Sequence, residues 1–385
     1  MKGPARATAV RFTEIELKNW RNFGSVKVTL PQRVFLVGPN ASGKSNFLDA
    51  FRFLRDLASV GGGFQAAVRR RGGLSSLRCL AARRIPDIVL SVKIGHEDER
   101  WQYSLKFRQD SQRRPMITEE KVVREGEVIL DRPDKSDKKD GERLTQTYLE
   151  QVNTNKEFRE VAEFFSSVRY LHLVPQIIRE PDRSVGKIND PFGGDFLEGI
   201  AQTPKNTQRA RLNRIQKALE LAVPQLKELE LHTDSRGIPH LRGRYEHWRL
   251  RGAWQDEDQF SDGTLRLIGL LWVLQESKAP LLLEEPELSL HPGVARYIPQ
   301  MFARVQRHSK RQIIVSTHSG DILQDEGIGL DEALLLFPET EGTIVKPAGS
   351  FDEIRILLEQ GMSLADAVIP KTSPAKARQL TLFGD

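Results

Sequence analysis

Apolar and polar residues alternate along the first strands that the sequence predicts. The segments RFTEIELKNW (11–20) and SVKVTL (25–30) have the two-residue period of half-exposed strands, and RVFLVG (33–38) is a continuous apolar run typical of a buried strand. A glycine-rich turn follows at 38–45, and residues 46–60 then carry apolar side chains at helical spacing until Gly61. The pattern predicts a strand, a glycine turn and a helix over residues 33–60.

Short alternating strands return between Ile88 and Leu130, which predicts an antiparallel layer inserted in the first lobe. The next segment, 131–143, has almost no apolar residue, so we expect a mobile hairpin tip there. A helix over 155–168 and a strand over 169–174 follow, and the strand ends at Pro175 and Gln176.

The last half of the chain changes from an amphipathic helix to alternating strands and helices. The helix near 205–223 is shorter than the three or four heptads that a coiled coil needs. Strands are predicted at 226–232 and 239–252. Buried strands at 280–285, 311–318 and 332–338 alternate with helices, which favours a largely parallel sheet in the last third.

Composition limits the class of protein. The 385 residues are 39% hydrophobic and 29% charged, as in a soluble globular protein with one large core or two lobes. A lone cysteine, Cys79, excludes an intramolecular disulfide, and the first residues lack an apolar signal core. The longest apolar run, 265–275, is well short of the roughly 20 residues that cross a bilayer. We therefore expect a cytoplasmic protein without membrane contact.

Positive charge gathers in five segments, 68–73, 108–114, 208–217, 242–252 and 304–311, and the formal net charge is +6. Tyr245 and Trp248 lie among the arginines of the fourth segment, and Trp254 follows shortly after it. Salt-dependent binding to phosphate backbones, with stacking on these rings, is one interpretation. Solvated faces and core aromatics are the other, since a modest excess of charge also serves solubility. DNA or another nucleic acid is therefore an open alternative as a partner.

Residues Gly38 to Ser45 match the phosphate-binding pattern G-x-x-x-x-G-K-[ST] between a predicted strand and a predicted helix. Backbone N–H groups of such a loop surround a phosphate chain, Lys44 can reach the β- and γ-phosphates, and the Ser45 hydroxyl can bind Mg²⁺. A chance glycine turn is the alternative. The nucleotide-binding residues expected here are Gly38, Pro39, Asn40, Ala41, Ser42, Gly43, Lys44, Ser45 and Asn46.

Two glutamates follow the predicted strand of LLLEEPELSLHP (281–292). Successive strand side chains point to opposite faces, so we assign Glu284 to Mg²⁺ and Glu285 to the attacking water. The strand of QIIVSTHSGDIL (312–323) brings His318 to the same sheet edge, where it can contact the γ-phosphate or hold that water. An exposed acidic loop and a histidine satisfied by its neighbours are the alternatives.

The stretch FSDGTLR (260–266) precedes an apolar helix. Ser261 or Asp262 is expected to cap this helix. The free N–H groups and the helix dipole also form a site for an anion, which Gly263 would let approach closely.

In this order, GPNASGKS, FSDGTLR, LLLEEPELSLHP and STHS resemble the motifs of ABC-type ATPases of the RecF, SMC and OLD branch. More narrowly, they resemble stand-alone AAA-type ATPases of bacterial defence operons, from FTEIELKNWRNFG to about residue 340. The resemblance implies an α/β fold, a P-loop ABC-type ATPase head. That head has a mixed or parallel core sheet, an antiparallel β insert and a small helical lobe, without long coiled-coil arms.

The resemblance also implies roles for single residues, with ATP and Mg²⁺ as cofactors. Glu284 is the Walker B acid, Glu285 the catalytic glutamate and His318 the switch histidine. Gln176 is a Q-loop residue that contacts nucleotide and metal, and residues 289–291 form a D-loop. The signature motif is Ser261, Asp262, Gly263 and Thr264. Arg21 and Asn22 are either nucleotide contacts or part of a surface turn.

In such ATPases two heads enclose two ATP molecules, and the signature of one head contacts the γ-phosphate held by the other. The partners expected are therefore a second head, as a homodimer or higher assembly, and a separate effector, a nuclease or toxin. Three motifs depart from the common pattern: SDGT replaces SGGQ, Glu284 replaces Asp, and His291 replaces the D-loop Asp. Because glutamate is longer than aspartate, we expect slow turnover.

We divide the chain into four parts. Residues 1–178 form an ATP-binding lobe with the P-loop and the antiparallel insert, and 179–258 form a helical and β signature lobe. Residues 259–345 complete the ATPase core, and 346–385 form a helix and a polar tail. Three other functions remain open: a RecF-like repair clamp, a regulatory scaffold that binds ATP with negligible turnover, and, least favoured, a transporter subunit.

Overall fold

The computed structural model describes residues 10–82, 86–96, 99–184, 190–246 and 253–373. Within these ranges fifteen strands form three sheets. In chain order they are β1 Arg11–Trp20, β2 Phe23–Thr29, β3 Arg33–Val37, β4 Ile88–Gly95, β5 Glu99–Gln109, β6 Pro115–Arg124, β7 Glu127–Arg132, β8 Arg169–Leu171, β9 Leu226–Thr233, β10 Pro239–Tyr245, β11 Ala253–Asp256, β12 Leu281–Glu284, β13 Ile313–Thr317, β14 Ala333–Phe337 and β15 Ile344–Pro347.

Helices cover these sheets. They are α1 Lys44–Ala58, α2 Phe64–Arg69, α3 Leu74–Leu77, α4 Lys135–Lys139, α5 Arg159–Ser167, α6 Pro175–Ile178, α7 Phe196–Gln202, α8 Lys205–Ala222, α9 Asp262–Val273, α10 Pro292–Ala295, α11 Ile298–Ser309, α12 Gly320–Leu323, α13 Asp352–Glu359 and α14 Leu364–Thr372. The helices predicted over 46–60 and 205–223 are confirmed as α1 and α8.

The central sheet has the strand order β15-β14-β3-β13-β12-β8, and all but β15 run parallel. Neighbouring side chains of β3 point to opposite faces, as the strand period requires. Val34 and Leu36 pack in a core shared with α1 and the antiparallel sheet, whereas Phe35 and Val37 pack in a core shared with α11 and α14. Burial on both faces explains why the inner strands β3, β12, β13 and β14 are largely apolar runs, and the predicted parallel sheet is confirmed.

The antiparallel sheet has the order β2-β1-β4-β5-β6-β7. The strands predicted between Ile88 and Leu130 are confirmed, and they pair directly with the N-terminal hairpin because β4 lies beside β1. The insert and the first two strands are therefore one layer, packed against α1 and α5.

The third sheet, β11-β10-β9, packs with α7 and α8 in a separate apolar cluster. Helix α9 joins this lobe to the central sheet: Leu265 and Ile268 belong to the lobe cluster, whereas Leu270 and Val273 contact the sheet. The signature segment at its start therefore lies on the helix that connects both parts.

The prediction of a mobile tip at 131–143 is wrong. This segment contains the end of β7, helix α4 and a 3-10 helix at Gly141–Thr145. Arg132 is buried and donates to Asp137 at 2.8 Å and to Glu120 at 2.8 Å. The segment lacks apolar residues because buried ion pairs and helix capping by Asp134, rather than hydrophobic contacts, hold it in place.

At 18 residues, α8 is the longest helix in the described part, so no long coiled coil is present there. None of the described helices is long and apolar enough to span a membrane. Where one helix was predicted after residue 346, the structure has two, α13 and α14. Residues 374–385 of the polar tail lie outside the described residues, as does Trp248.

Candidate nucleotide-binding site

The carboxyl ends of four parallel strands meet at one edge of the central sheet. The registers pair Val37 with Thr317, Glu284 with Ser316, and Leu283 with Leu171. The residues that follow these strands, including Gly38, Glu285 and His318, are therefore brought to the same edge. The sequence placed these side chains on separate segments, and the sheet brings them together.

The glycine-rich loop leads from β3 into α1. Gly43 has φ +99°, and a Cβ there would lie 2.1 Å from Asn22 Nδ2, so the loop requires glycine at this position. Lys44 donates to the carbonyl oxygens of Gly38 at 2.8 Å and Pro39 at 3.2 Å. Burial lowers the pKa of Lys44, and three nearby glutamates act in the opposite direction. The amine thus lies inside the loop that the motif assigns to phosphates.

Asn22 supports this loop from the turn between β1 and β2. Its Nδ2 donates to Ser42 O at 2.9 Å and to Thr343 Oγ1 at 2.7 Å, and its Oδ1 accepts from Asn46 Nδ2 at 2.8 Å. Asn22 therefore lies in a turn and contacts the P-loop from it, and a contact with nucleotide stays a prediction. Arg21 pairs with Asp49 of α1 at 2.9 Å instead.

Glu284 is held through both carboxylate oxygens. Ser45 Oγ donates to Oε1, and Tyr170 Oη donates to Oε2. Burial and the nearby Glu284 raise the pKa of Tyr170, so its hydroxyl stays a donor. Sequence reasoning missed Tyr170, because a tyrosine on a short edge strand carries no motif; only the pairing of β8 with β12 brings it to Glu284.

The surroundings of Ser45 and Glu284 fit Mg²⁺. A hydroxyl and a carboxylate oxygen in direct contact are hard donors of the type that Mg²⁺ prefers. Among the described residues, no group of three or more His, Cys, Asp or Glu could hold a metal alone. A metal carried by nucleotide phosphates needs only one or two protein oxygens, so these two residues are sufficient.

Glu285 and His318 form the next contact along the edge. His318 Nδ1 lies 3.1 Å from Glu285 Oε1, and the Glu285 backbone adopts φ +43°, in the left-handed region. A β-strand cannot continue through that conformation, so the chain turns away from the sheet at this residue. The turn separates the Glu285 side chain from that of Glu284, and it brings the assigned base to the assigned histidine.

Glu287 is a further acid that sequence reasoning missed. It is buried, and its Oε1 accepts a 2.5 Å hydrogen bond from Thr317, the residue before His318. Burial raises the pKa of Glu287. Thr317 Oγ1 in turn accepts from Ser319 N at 3.0 Å, so Glu287 braces the loop that carries His318.

The signature segment caps α9 as expected. Ser261 is the N-cap, and its Oγ accepts from Thr264 N at 3.2 Å. A Cβ on Gly263 would lie 2.5 Å from Ser289 O, so this glycine has an intramolecular role as well: it lets the 289–291 loop pack against the helix. His291 accepts from Gly293 N at 3.0 Å and caps α10, which gives the histidine at this position a structural role.

A family model described as "AAA domain, putative AbiEii toxin, Type IV TA system" matches residues 33–323, more than half of the chain. The match begins at β3 and ends at α12, and so contains every motif of the sheet edge. The chain belongs to this family. No functionally curated protein matches it.

Solved structures share the fold. The SMC head of Pyrococcus furiosus, with an extended coiled coil and bound to the C-terminal domain of ScpA, is 12% identical over 92% of this chain and 100% of that one, with a TM-score of 0.54. An SMC head bound to the C-winged helix domain of ScpA is 14% identical, covering 87% and 96%, with a TM-score of 0.52. The SMC head of Pyrococcus yayanosii, with a coiled coil and joint, is 12% identical, covering 92% and 100%, with a TM-score of 0.51. The chain thus shares its fold with SMC heads.

Gln176 lies on α6, and its Nε2 donates to Asp262 Oδ2 at 3.3 Å. The structure therefore brings Gln176 to the signature segment, whereas Tyr170 is the neighbour of Glu284. Its role as a nucleotide and metal ligand stays a prediction.

Some arginines of the basic segments are already engaged. Arg71 pairs with Asp49 at 2.9 Å, Arg114 with Glu142 at 2.9 Å, and Arg242 with Glu230 at 2.6 Å. Arg311 is buried and donates to backbone carbonyls. The number of cations in these segments thus overstates the number that are free to meet a phosphate, and nucleic-acid binding stays an open prediction.

Proposed function

We propose that the protein is an ATP-binding switch in which two heads pair around ATP, hydrolyse it slowly and control a separate effector. One observation carries the proposal: the sheet edge offers phosphate-binding, metal-binding and water-activating side chains, while the exposed Ser261 caps a second anion-binding helix end. Free N–H groups at a helix start attract anions. The N-terminal end of α9, capped by Ser261, would complete the nucleotide site of another head.

Each of the motif side chains at this edge of the central sheet has a role in hydrolysis. Lys44 and the backbone N–H groups of the P-loop bind the β- and γ-phosphates. Ser45 and Glu284 hold Mg²⁺, which offsets phosphate charge when bound. Glu285 accepts a proton from the attacking water, and His318 orients Glu285 through their 3.1 Å contact. We expect turnover to be slow because Glu284 stands where aspartate is usual.

We place the switch in bacterial antiphage defence, in the cytoplasm, with a nuclease or toxin on another polypeptide as effector. The family description names a toxin and a toxin–antitoxin system, and the sequence motifs resemble those of ATPases from defence operons. A RecF-like clamp stays the alternative, since a clamp needs free cations for DNA and only some arginines of these segments are paired, among them Arg71, Arg114 and Arg242. The contact of Glu285 with His318 speaks against a scaffold without turnover.

The pairing of heads is tested by sedimentation with and without ATP and Mg²⁺. Glu285→Gln should associate only with ATP, because binding persists while hydrolysis stops. Lys44→Ala should stay dissociated. Ser261→Arg in the Glu285→Gln background should bind a fluorescent ATP analogue as a lone head but fail to associate. If Glu285→Gln does not self-associate with ATP, alone or with co-purified partner, head pairing is wrong.

The effector and its alternatives need different measurements. Native purification followed by mass spectrometry identifies any protein that co-elutes. ATPase rates with and without DNA, at low and moderate salt, test the RecF-like clamp, which requires stimulation. A scaffold would keep control of its partner in Glu285→Gln and lose it in Lys44→Ala, whereas equal loss in both variants would reject the scaffold.

A further inference from the structure

The signature segment, residues 261–264, contains an acid, although the proposed function turns this segment toward a phosphate. We call this segment the signature half-site. Asp262 is the first residue of α9, where the proposed function brings the γ-phosphate of the second head. A free carboxylate there would repel that phosphate, because like charges at short range repel even near a surface. The common signature avoids the difficulty with glycine at this position, so Asp262 calls for an explanation from its own surroundings.

Both oxygens of Asp262 have partners on α6 or just after it. Arg179 Nη2 lies 2.6 Å from Oδ1, and Gln176 Nε2 donates to Oδ2 at 3.3 Å. The same Arg179 nitrogen donates to Phe260 O at 2.7 Å. One guanidinium therefore holds the carboxylate and also the backbone just before Ser261.

The base of Arg179 is fixed by apolar packing. Pro175 and Ile178 of α6 are buried, and Ile178 belongs to the same cluster as Phe260 and Leu265. The pair itself is partly exposed, with side-chain accessibilities of 23% for Arg179 and 36% for Asp262. Partly exposed ion pairs add little to folding stability, so the effect of this pair should be on the geometry and charge of the half-site.

We propose that Arg179 is a positioning residue of the signature half-site. It offsets the charge of Asp262 and fixes the first turn of α9, so that Ser261 and the N–H groups of the helix can meet the phosphate of a second head. Arginine suits this role because its planar fork reaches two acceptors at once. The inference rests on the proposed function, since it assumes that heads pair through this surface.

The test is a double-mutant cycle in the Glu285→Gln background. Arg179→Gln, Asp262→Asn and the combination are compared by ATP-dependent sedimentation, and a fluorescent ATP analogue reports nucleotide affinity of the lone heads. Arg179→Gln should weaken association about tenfold, whereas in the Asp262→Asn background the loss should be about threefold or less. Arg179→Lys should recover part of the association. Arg236→Gln is the matched control, because Arg236 forms an exposed pair with Asp182 at 3.1 Å in the same lobe.

The outcomes separate this inference from the proposed function. An equal loss in both backgrounds, or no loss in Arg179→Gln, overturns the role of Arg179 while head pairing stands. A parallel fall in nucleotide affinity of the lone heads also overturns it, since that result indicates general damage. If the Glu285→Gln parent fails to associate, the proposed function fails and the inference falls with it.

Discussion

Replacing Tyr170 with phenylalanine removes one oxygen from the surroundings of Glu284 and leaves the ring in place. The hydroxyl donates to Glu284 Oε2, while Ser45 donates to Oε1. The ring is held independently, because β8 pairs with β12 and the Arg52 guanidinium lies 4.3 Å from the ring centroid. The substitution therefore frees one side of the carboxylate without removing a packed side chain.

The size of the effect follows from these contacts. A hydrogen bond to a charged group contributes roughly 1.5–3 kcal/mol. Loss of a partner behind a metal ligand typically weakens metal binding by about 10–100-fold. Ser45 still holds the other oxygen of Glu284, so we expect the lower end of that range, about a tenfold rise in the Mg²⁺ concentration that half-saturates the site.

The assay is a Mg²⁺ titration of fluorescent ATP binding in the Glu285→Gln background, with nucleotide affinity without metal measured alongside. Tyr103→Phe is the matched control, because Tyr103 is buried and donates to Glu120 at 3.1 Å in the antiparallel sheet. A Mg²⁺ requirement that is unchanged in Tyr170→Phe, or that shifts equally in Tyr103→Phe, would refute the assignment of Tyr170 to the metal side of the site.

Two further predictions concern stability and packing. Arg132→Met should lower the free energy of unfolding by about 3–5 kcal/mol near neutral pH, because two buried carboxylates lose their cation. Burial acts to raise the pKa of Asp137, but bonds from Arg132 outweigh it and lower the pKa to about 2, so this stabilisation is present above the ordinary pKa of 3.8 and is lost as pH falls towards 2. Denaturant unfolding from pH 7 to 2 should therefore show a shrinking difference in the free energy of unfolding between wild type and variant. A difference that stays constant would contradict the argument. Gly263→Ala should destabilise by about 1–3 kcal/mol and weaken ATP-dependent association, since its Cβ would lie 2.5 Å from the Ser289 carbonyl oxygen. Gly199→Ala, where a Cβ meets no atom within 4 Å, is the control in thermal unfolding and sedimentation.

The elements that the sequence predicted well are those whose signal is local. The run of apolar residues in β3, the glycine turn and the helical spacing after Lys44 lie within one short segment, so their joint structure follows from neighbouring residues. Some contacts missed at the site join residues that lie far apart in sequence, although Glu287 lies only two positions from Glu285. Tyr170 is 114 positions from Glu284, and Asn22 is 321 positions from Thr343, so only strand pairing in the finished sheet reveals these contacts.

Predictions made from charged residues failed for a different reason. The 131–143 segment and several basic segments have the composition of solvated surface, yet Arg132 and Arg311 are buried. Composition records that a charge is present but not whether an acid or a carbonyl lies opposite it. Arg132 meets Glu120 and Asp137, and Arg311 meets backbone carbonyls, and both kinds of partner become visible only in the folded chain.

Within one chain, short contacts join the signature segment to the sheet edge that carries Glu285 and His318. Gly263 packs on Ser289 of the loop that follows Glu285, and the same loop begins with Glu287, which binds Thr317 next to His318. A second head that closes on the signature would therefore press on a loop tied to the histidine that contacts Glu285. The packed backbone at Gly263 and the buried hydrogen bond at Glu287 leave the signature segment and this loop little room to move independently. Under the proposed function, pairing of two heads would therefore affect the position of Glu285. Under the proposed function, a lone head binds ATP, and hydrolysis needs the signature segment of a second head.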